Sequence, residues 1–220
     1  MMSTFVLAIV GDYYHRKEAA LQSLEEALSP YLSNGEIKLE TCEHVDLLER
    51  IAEKPDVVIL FTENRVNPTD DKVNMWMSEE IANAIIHYVE SGGGWLAWHS
   101  GLASYGIDSK YTQMLKGYFE YHPDQHQMVQ YTNPNQTDNA ILSNDVSFDL
   151  LDEHYFVHCD TENTTIFLES SSVDGQSIAG WYHSYGKGKV CCLTPTHNKE
   201  GLLNPAFIEV LGKCVMWASM

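Results

Sequence analysis

The sequence predicts an α/β fold with a doubly wound, mostly parallel sheet and an antiparallel edge, and three observations lead to this prediction. In the first half of the chain, short apolar runs that suit strands buried on both faces alternate with amphipathic segments. Such alternation implies parallel strands with helices on both faces of the sheet. Near the carboxyl end, two apolar runs joined by a glycine-framed turn predict a hairpin, which adds antiparallel strands.

The elements of the first half follow one another as strand and helix. Phe5 to Val10 is a continuous apolar run that predicts the first buried strand, and Gly11-Asp12 ends it. Lys17 to Leu32 has apolar residues at helical spacing and predicts the first helix. The elements predicted after it are strand Glu36 to Thr41, helix Val45 to Ala52, strand Val57 to Phe61, helix Asn74 to Ser91 and strand Trp95 to Trp98.

The second half is less regular, and its prediction rests on short apolar runs. Tyr111 to Lys116 suits one or two helical turns. Asn204-Pro205 begins a final helix, because proline is favoured at the first helical position. The predicted strands are Met128 to Tyr131, Asp152 to His158, Thr165 to Glu169, Ile178 to Tyr182 and Lys189 to Leu193. With no clear linker and no internal repeat, we expect a single domain over residues 1–220.

The charge balance disfavours two classes of partner. The chain has 220 residues and a formal net charge of −18. A surface this acidic repels the phosphates of nucleic acids and of anionic membranes, so neither is an expected partner. No apolar stretch approaches the length needed to span a bilayer. A homodimer is expected only from the general frequency of such assemblies.

The cysteines indicate a reducing compartment. They are Cys42, Cys159, Cys191, Cys192 and Cys214. Their number is odd, no two have C-x-x-C spacing, and the adjacent pair lies in an apolar run, which is typical of buried free thiols. Met1 to Val10 has no basic segment and too short an apolar run for a signal peptide. We therefore expect a cytoplasmic enzyme or binding protein.

Two histidines and one carboxylate are the first candidates for chemistry. Gly92-Gly93-Gly94 precedes a predicted strand that stops at His99, and His197 follows the last predicted strand. Ligands of doubly wound sheets bind at the carboxyl ends of the strands. With Glu153 nearby, such residues can act as acid, base or metal ligands. We expect three other histidines at the surface, namely His15, His44 and His87.

The segment around His99 has the spacing of a nucleophile elbow but lacks the nucleophile. Ala97-Trp98-His99-Ser100-Gly101 follows the pattern G-x-Nu-x-G with alanine in place of the first glycine. The central position holds histidine, and Ser100 is one step away from it. Acyl-enzyme chemistry needs a thiol or hydroxyl at that point. Hydrolase or amidotransferase action through a covalent intermediate is therefore not expected.

Five segments rich in glycine, aromatic residues and histidine occur in order along the chain. They are Gly92 to Ser100, Gly117 to His122, Asp152 to Tyr155, Trp181 to Val190, and Thr196-His197. Together they resemble the motifs of the ThuA-like (trehalose utilisation) family. The similarity extends over most of the chain.

This resemblance implies the class I glutamine amidotransferase-like fold, with a flavodoxin-like sheet. The amidotransferases of that fold use a Cys-His-Glu triad. Here His99 stands at the nucleophile position and His197 resembles the triad histidine, whereas Lys199 stands where the glutamate belongs. No glutaminase activity is therefore expected. The role that the resemblance implies is sugar catabolism, with a disaccharide or its keto derivative as the small-molecule ligand.

We expect a cytoplasmic sugar enzyme with isomerase-type or lyase-type acid–base chemistry. Such reactions need a base that takes a proton next to a carbonyl and an acid that polarises the carbonyl oxygen. The expected catalytic residues are His99, Glu153, His197 and His122. Polarisation by a divalent metal such as zinc stays open, with His99, His197 and Glu153 as its ligands. The residues expected to bind substrate are Trp98, Ser100, Tyr155 and His183.

Two alternatives remain open at this point. The first is a non-catalytic carbohydrate-binding or sensing module that uses the same pocket without turnover. The second is a residual hydrolase that uses Ser100 as its nucleophile.

Overall fold

A computed structural model describes residues 3–134, 139–142 and 145–220, so Met1 and Met2 of the predicted amino-terminal run lie outside it. The strands are β1 (Thr4–Val10), β2 (Ile37–Thr41), β3 (Val57–Phe61), β4 (Gly94–Trp98), β5 (Gly117–Tyr121), β6 (Gln127–Thr132), β7 (Ser147–Asp152), β8 (Phe156–Cys159), β9 (Thr165–Ser172), β10 (Gly175–Tyr185) and β11 (Gly188–Leu193). The helices are α1 (Lys17–Ser33), α2 (Leu47–Ile51), α3 (Glu79–Glu90), α4 (Lys110–Leu115), α5 (Lys199–Leu202) and α6 (Pro205–Ala218). His44–Asp46 and His99–Leu102 form short 3-10 turns.

One large sheet carries the fold. Its nine strands are in the order β2-β1-β3-β4-β11-β10-β9-β6-β7, while β5 and β8 pair in a separate two-stranded ribbon. The first five strands of this order pair in parallel, and every pairing from β11 to β7 is antiparallel. Val57 and Lys189 both pair with Gly94, so β3, β4 and β11 start level with one another. Their carboxyl ends therefore lie side by side.

The predicted broad fold class is confirmed as a mixed α/β fold. The Gly186-Lys187-Gly188 hairpin between β10 and β11 is present and begins the antiparallel part. That part is larger than the predicted edge, because β9, β6 and β7 extend it. The predicted strand from Asp152 to His158 is wrong, since Asp152 ends β7 and the chain leaves the sheet before β8 begins at Phe156. The side chains of β7 alternate between exposed and buried, as at a half-covered edge of a sheet.

Two hydrophobic cores lie on opposite faces of the sheet. In β1, Val6 and Ala8 belong to the core beneath α1 and α6, whereas Leu7 and Ile9 belong to the core beneath α3 and α4. This alternation is the side-chain geometry of a strand that is buried on both faces. Each of these four residues is at most 2% exposed. Burial of the larger ones stabilises the fold by roughly 1.5–3 kcal/mol each.

The helix after β3 begins later than the sequence predicts. α3 starts at Glu79 because the Ser78 hydroxyl accepts a hydrogen bond from the Ile81 backbone N–H and caps the helix. The residues before it form a loop in which the Trp76 indole N–H donates to the Glu63 carbonyl at 2.9 Å. This loop therefore packs against the chain that leaves β3, close to the carboxyl edge of the sheet.

Among the described residues, no helix has the length and apolar character needed to cross a bilayer. All five cysteines are free thiols. Cys191, Cys192 and Cys214 are buried, and Cys42 and Cys159 are half-buried.

Candidate functional site

The carboxyl ends of four parallel strands deliver the polar residues of one site. The segments that leave β1, β3, β4 and β11 carry Asp12, His15, Glu63, His99 and His197. This edge is where parallel α/β sheets bind their ligands. The segment between β7 and β8 adds Glu153 from the antiparallel part. The site is therefore built where the two parts of the sheet meet.

His99 occupies a strained turn, and its ring presents a bare nitrogen. Its φ of 45° lies in the left-handed region that non-glycine residues rarely adopt. Nδ1 lies 2.6 Å from the Thr194 carbonyl oxygen, which can only accept, so Nδ1 carries the proton. Nε2 is buried and has no hydrogen-bond partner among the described residues. Burial, followed by the imidazoles of His15 and His197, holds the pKa of His99 well below its usual range.

His15 belongs to the site, so the expectation that it lies at the surface is wrong. It is 6% exposed, because the turn after β1 folds back over the sheet edge. The Asp12 carboxylate lies 2.6 Å from Nδ1 of His15 and also accepts the backbone N–H groups of Tyr14 and His15. Burial acts to raise the pKa of Asp12, but the hydrogen bond and charge of His15 outweigh it and lower that pKa. The ionised carboxylate holds the proton on Nδ1 and leaves Nε2 facing the site.

His197 completes a row of three imidazoles. Its Nδ1 lies 3.0 Å from Nε2 of His15 and 3.4 Å from a carboxylate oxygen of Glu153. Burial lowers the pKa of His197, although the nearby Glu153 carboxylate acts in the opposite direction. Because burial has the larger effect, it favours a neutral ring at His197 beside the other two imidazoles.

Glu153 faces the imidazoles with one oxygen. Its Oε2 lies 3.7 Å from Nε2 of His99 and 3.8 Å from Nε2 of His122, in addition to its contact with His197. The neighbouring Asp152 carboxylate accepts the backbone N–H groups of Glu153 and His197 at 2.9–3.0 Å. Burial raises the pKa of Asp152 to about 7. Asp152 therefore ties the two chain segments of the site together.

The geometry of this cluster fits a divalent metal. One ligand atom from each of His15, His99, Glu153 and His197 lies within 4.8 Å of the other three. Nitrogen ligands bound at about 2.0–2.1 Å around zinc would themselves be about 3.3 Å apart, so modest inward shifts would close the set. The unpartnered Nε2 of His99 and the imidazole–carboxylate ligand set both suit such an ion. The predicted set of His99, His197 and Glu153 is thus brought together, and the structure adds His15.

A cavity of about 370 Å³ opens onto the cluster. Two predicted residues lie on its wall beside Glu153, namely His122 and Tyr155. The Tyr155 ring stacks on that of His99, with the ring centres 4.2 Å apart. Burial raises the pKa of Tyr155 well above its usual range, so its hydroxyl keeps its proton. The cavity volume lies within the range of small-molecule sites.

Two residues expected to bind substrate are core residues instead. Trp98 is fully buried, and its indole N–H donates to the Pro195 carbonyl at 2.5 Å while its ring packs on Phe61. Ser100 is also fully buried, and its hydroxyl has no partner among the described residues. Neither lines the cavity beside the cluster. The burial of Ser100 also argues against the hydrolase alternative, because a nucleophile must reach its substrate.

The structure does not bring His183 to the site. His183 lies on β10 and pairs with Val190 near the start of β11. Because β10 runs antiparallel to β11, this part of β10 lies at the opposite edge of the sheet from His99. The His183 Nε2 donates to the Met114 carbonyl at 2.9 Å, and Nδ1 has no partner among the described residues. The expected substrate-binding role of His183 is therefore wrong.

Replacing His183 by glutamine is expected to weaken the loss of stability at acid pH. Burial, followed by the Lys116 charge, lowers the pKa of His183 to about 4. Above pH ~6.5 the ring is neutral in both states, whereas between ~6.5 and 4 only the unfolded chain takes up the proton. The free energy of unfolding therefore falls over this interval, by roughly 3 kcal/mol from this residue. Urea unfolding at pH 7.5 and pH 4.5 should show a smaller decrease for His183→Gln, whereas the exposed His87→Gln should match the wild type.

The sequence matches one family model over almost its whole length. The model described as trehalose utilisation (ThuA) matches residues 6–218. Comparison with curated protein sequences finds no match.

Solved structures of low sequence identity share the fold. A ThuA-like protein from Parabacteroides merdae has a TM-score of 0.74 at 13% identity, covering 99% of this chain and 90% of that chain. A ThuA-like protein from Bacteroides uniformis has a TM-score of 0.68 at 18% identity, covering 98% of this chain and 91% of that chain. A cytoplasmic protein from Salmonella typhimurium has a TM-score of 0.62 at 16% identity, covering 98% of this chain and 97% of that chain.

Proposed function

Because the chain belongs to the trehalose-utilisation (ThuA) family, which implies a role in sugar metabolism, we propose that it is a metal-assisted enzyme acting on a keto-sugar or disaccharide. The observation that carries this proposal is the convergence of His15, His99, His197 and Glu153 in one cluster, of which His15, Glu153 and His197 line a cavity. Three imidazoles and a carboxylate form a set that serves metal binding and proton transfer alike. The reaction class is isomerisation or elimination next to a carbonyl.

The metal would be held by four side chains that the fold already orients. His15 and His99 each offer Nε2, because Asp12 and the Thr194 carbonyl hold the proton on their Nδ1 atoms. His197 would offer Nδ1 in the neutral tautomer that carries its proton on Nε2, and Glu153 would offer an oxygen. A bound zinc or similar ion supplies Lewis-acid polarisation of a carbonyl oxygen.

The residues of the cavity wall divide the proton transfers between them. The Glu153 oxygen that does not hold the metal can take a proton from the carbon next to the carbonyl, because the side chain lines the cavity and is not fully buried. His122 is one-third exposed and lies 3.8 Å from Glu153, so it can pass that proton to or from solvent. The Tyr155 hydroxyl, held protonated by burial, can donate to an oxygen of the substrate.

Several finer assignments belong to this proposal. The order β2-β1-β3-β4-β11 of the parallel strands supports the flavodoxin-like, doubly wound description and the class I glutamine amidotransferase-like fold. We further propose a single domain over residues 1–220, a cytoplasmic location, and a small-molecule carbohydrate partner without nucleic acid or membrane. The cytoplasmic protein of Salmonella typhimurium supports the location only through its similar fold. A homodimer is proposed from base rates alone.

Two measurements on the purified full-length chain test this proposal. The first is metal content together with titration by Zn²⁺, and the second is turnover of a panel of oxidised disaccharides by the zinc-loaded protein. We expect about one zinc per chain and release of a product from at least one keto-sugar. Thermal stabilisation by a sugar without any turnover would instead favour the non-catalytic binding module. Absence of both zinc binding and turnover would contradict the proposal.

Replacing Asp12 by asparagine is expected to weaken zinc binding by about 10–100-fold. The Asp12 carboxylate fixes the proton of His15 on Nδ1, and asparagine supplies no charge to hold that tautomer. Competition with a fluorescent chelator would measure the affinity. Asp149→Asn is the matched control, because Asp149 is exposed on β7 at the edge of the sheet and should leave the affinity unchanged. Equal affinities for Asp12→Asn and wild type would show that the carboxylate does not position His15.

A further inference from the structure

The lining of the cavity includes a second carboxylate besides Glu153, and this one is buried. Glu63 follows β3 and is 2% exposed. Its Oε2 accepts hydrogen bonds from Arg65 Nε at 2.8 Å and from the Ser104 hydroxyl at 3.0 Å. Its Oε1 is buried and has no hydrogen-bond partner among the described residues. A buried acceptor without a donor costs free energy. The bare Oε1 is therefore explained if a bound ligand supplies the missing hydrogen-bond donor.

Hydrogen bonds to both backbone groups of Glu63 fix its position. Its backbone N–H donates to Asp12 Oδ2 at 2.9 Å, and its carbonyl accepts the Trp76 indole N–H at 2.9 Å. Ser104, the other donor to its side chain, has a φ of 65° and so lies in the left-handed region. Asp12 is the residue that also orients His15. Asp12 therefore connects Glu63 to His15 through hydrogen bonds.

Arg65 and Tyr14 form the outer part of the same wall. The Arg65 guanidinium lies over the Tyr14 ring, 5.8 Å from its centre. Only Nε of this guanidinium is bonded to another described residue, which leaves its terminal amino groups as donors. The Arg65 side chain is 36% exposed, and Tyr14 is 47% exposed. Both side chains therefore have room to move when a ligand enters and uncovers Oε1.

We propose that Glu63, Arg65 and Ser104 form a subsite that recognises the hydroxyl groups of a neutral sugar ring bound beside the histidine cluster. All three residues line the cavity that His15, Glu153 and His197 also line. One sugar hydroxyl donates a hydrogen bond to Glu63 Oε1, which satisfies this buried oxygen. The adjacent hydroxyl of the sugar accepts a hydrogen bond from the Arg65 amino groups. This proposal rests on the proposed function and adds the residues that select the substrate.

Charge selects a neutral ligand over an anionic one. Arg65 is already paired with Glu63, and Glu153 places a further carboxylate on the cavity wall. The whole chain carries a net charge of −18, so the field around the cavity opposes sugar phosphates and sugar acids. The subsite therefore discriminates by hydrogen bonds to hydroxyl groups and by repulsion of anions.

Calorimetric titration of the full-length chain with trehalose and with trehalose 6-phosphate tests this subsite. We expect trehalose to bind the wild type at least tenfold more tightly than its phosphate. Glu63→Gln should weaken trehalose binding at least tenfold, because the amide loses the charge of the acceptor. Arg65→Met should weaken it as well. Glu80→Gln, at an exposed position of α3, should match the wild type.

Two further measurements separate the subsite from the metal centre. Zinc titration of Glu63→Gln should give the wild-type affinity, since Glu63 is not one of the four ligands. The thermal unfolding midpoint of each variant reports whether it folds. If Glu63→Gln does not fold, Arg65→Met, at a partly exposed position, still tests the subsite. Trehalose affinities equal to wild type in both variants, or no trehalose binding by the wild type, would overturn the subsite. Absence of both zinc binding and turnover in the wild type would instead refute the proposed function.

Discussion

Replacing His15 by alanine is expected to reduce zinc affinity by more than about 100-fold, because loss of a direct ligand costs more than the ~10–100-fold loss caused by removing a residue that supports a ligand. His15 offers its Nε2 to the cluster and lies 3.0 Å from His197 Nδ1, so the variant keeps at most three of the four ligands. Titration with Co²⁺, whose visible absorption reports its coordination, measures the same loss and the change of geometry.

Two comparisons make the His15 result decisive. His87→Ala, at an exposed position of α3, controls for the removal of an imidazole elsewhere on the surface. His197→Ala removes a ligand that is less buried than His15, with a side chain 22% exposed, and should show a comparable loss of affinity. Metal binding of wild-type strength in both His15→Ala and His197→Ala would mean that the ion binds outside this cluster.

Replacing Gly101 by alanine is expected to destabilise the protein by about 3 kcal/mol or more, the upper range of overpacking effects. A Cβ at this position would lie 3.0 Å from the Leu60 carbonyl carbon and still closer to its oxygen. Backbone of a central strand cannot give way as a flexible side chain can, so the 3-10 turn that begins at His99 must shift. Urea unfolding measures the loss, and zinc affinity should fall with it.

The control for Gly101 is another glycine of the same segment. At Gly106 the nearest atom to an added Cβ is 3.8 Å away, which is ordinary contact. Gly106→Ala should therefore change the free energy of unfolding by less than about 1 kcal/mol. If Gly101→Ala proved as stable as Gly106→Ala, the close packing of the His99 turn against β3 would be wrong.

The parallel half of the fold was predictable because its strands have strong local signals. The run from Phe5 to Val10 is apolar without interruption, and β1 covers it. The antiparallel half was harder to predict, because β7 is a half-exposed edge strand, and the segment between it and β8 leaves the sheet to place Glu153. Periodicity reports which face is buried, and it does not report where a strand stops pairing.

The candidate site was predictable only in part, for a related reason. His99 follows β4 directly and His197 follows β11 after Thr194-Pro195-Thr196, so their place at the carboxyl edge could be inferred from the chain. His15 is separated from β1 by a turn, and its burial depends on the hydrogen bonds of Asp12. The spacing Asp-x-x-His after the first strand was the signal for it. His183 was misplaced because strand direction, which decides the edge of the sheet, cannot be inferred from the residue itself.

The central claim is that the imidazoles of three distant segments and one carboxylate hold a single divalent ion. Anomalous X-ray diffraction at the zinc absorption edge, from crystals of the full-length chain grown with Zn²⁺, tests it most directly. We predict one strong anomalous peak within about 2.3 Å of nitrogen atoms of His15, His99 and His197 and of a Glu153 oxygen. An anomalous map with no peak among these four side chains, with zinc present in the crystal, would contradict the account.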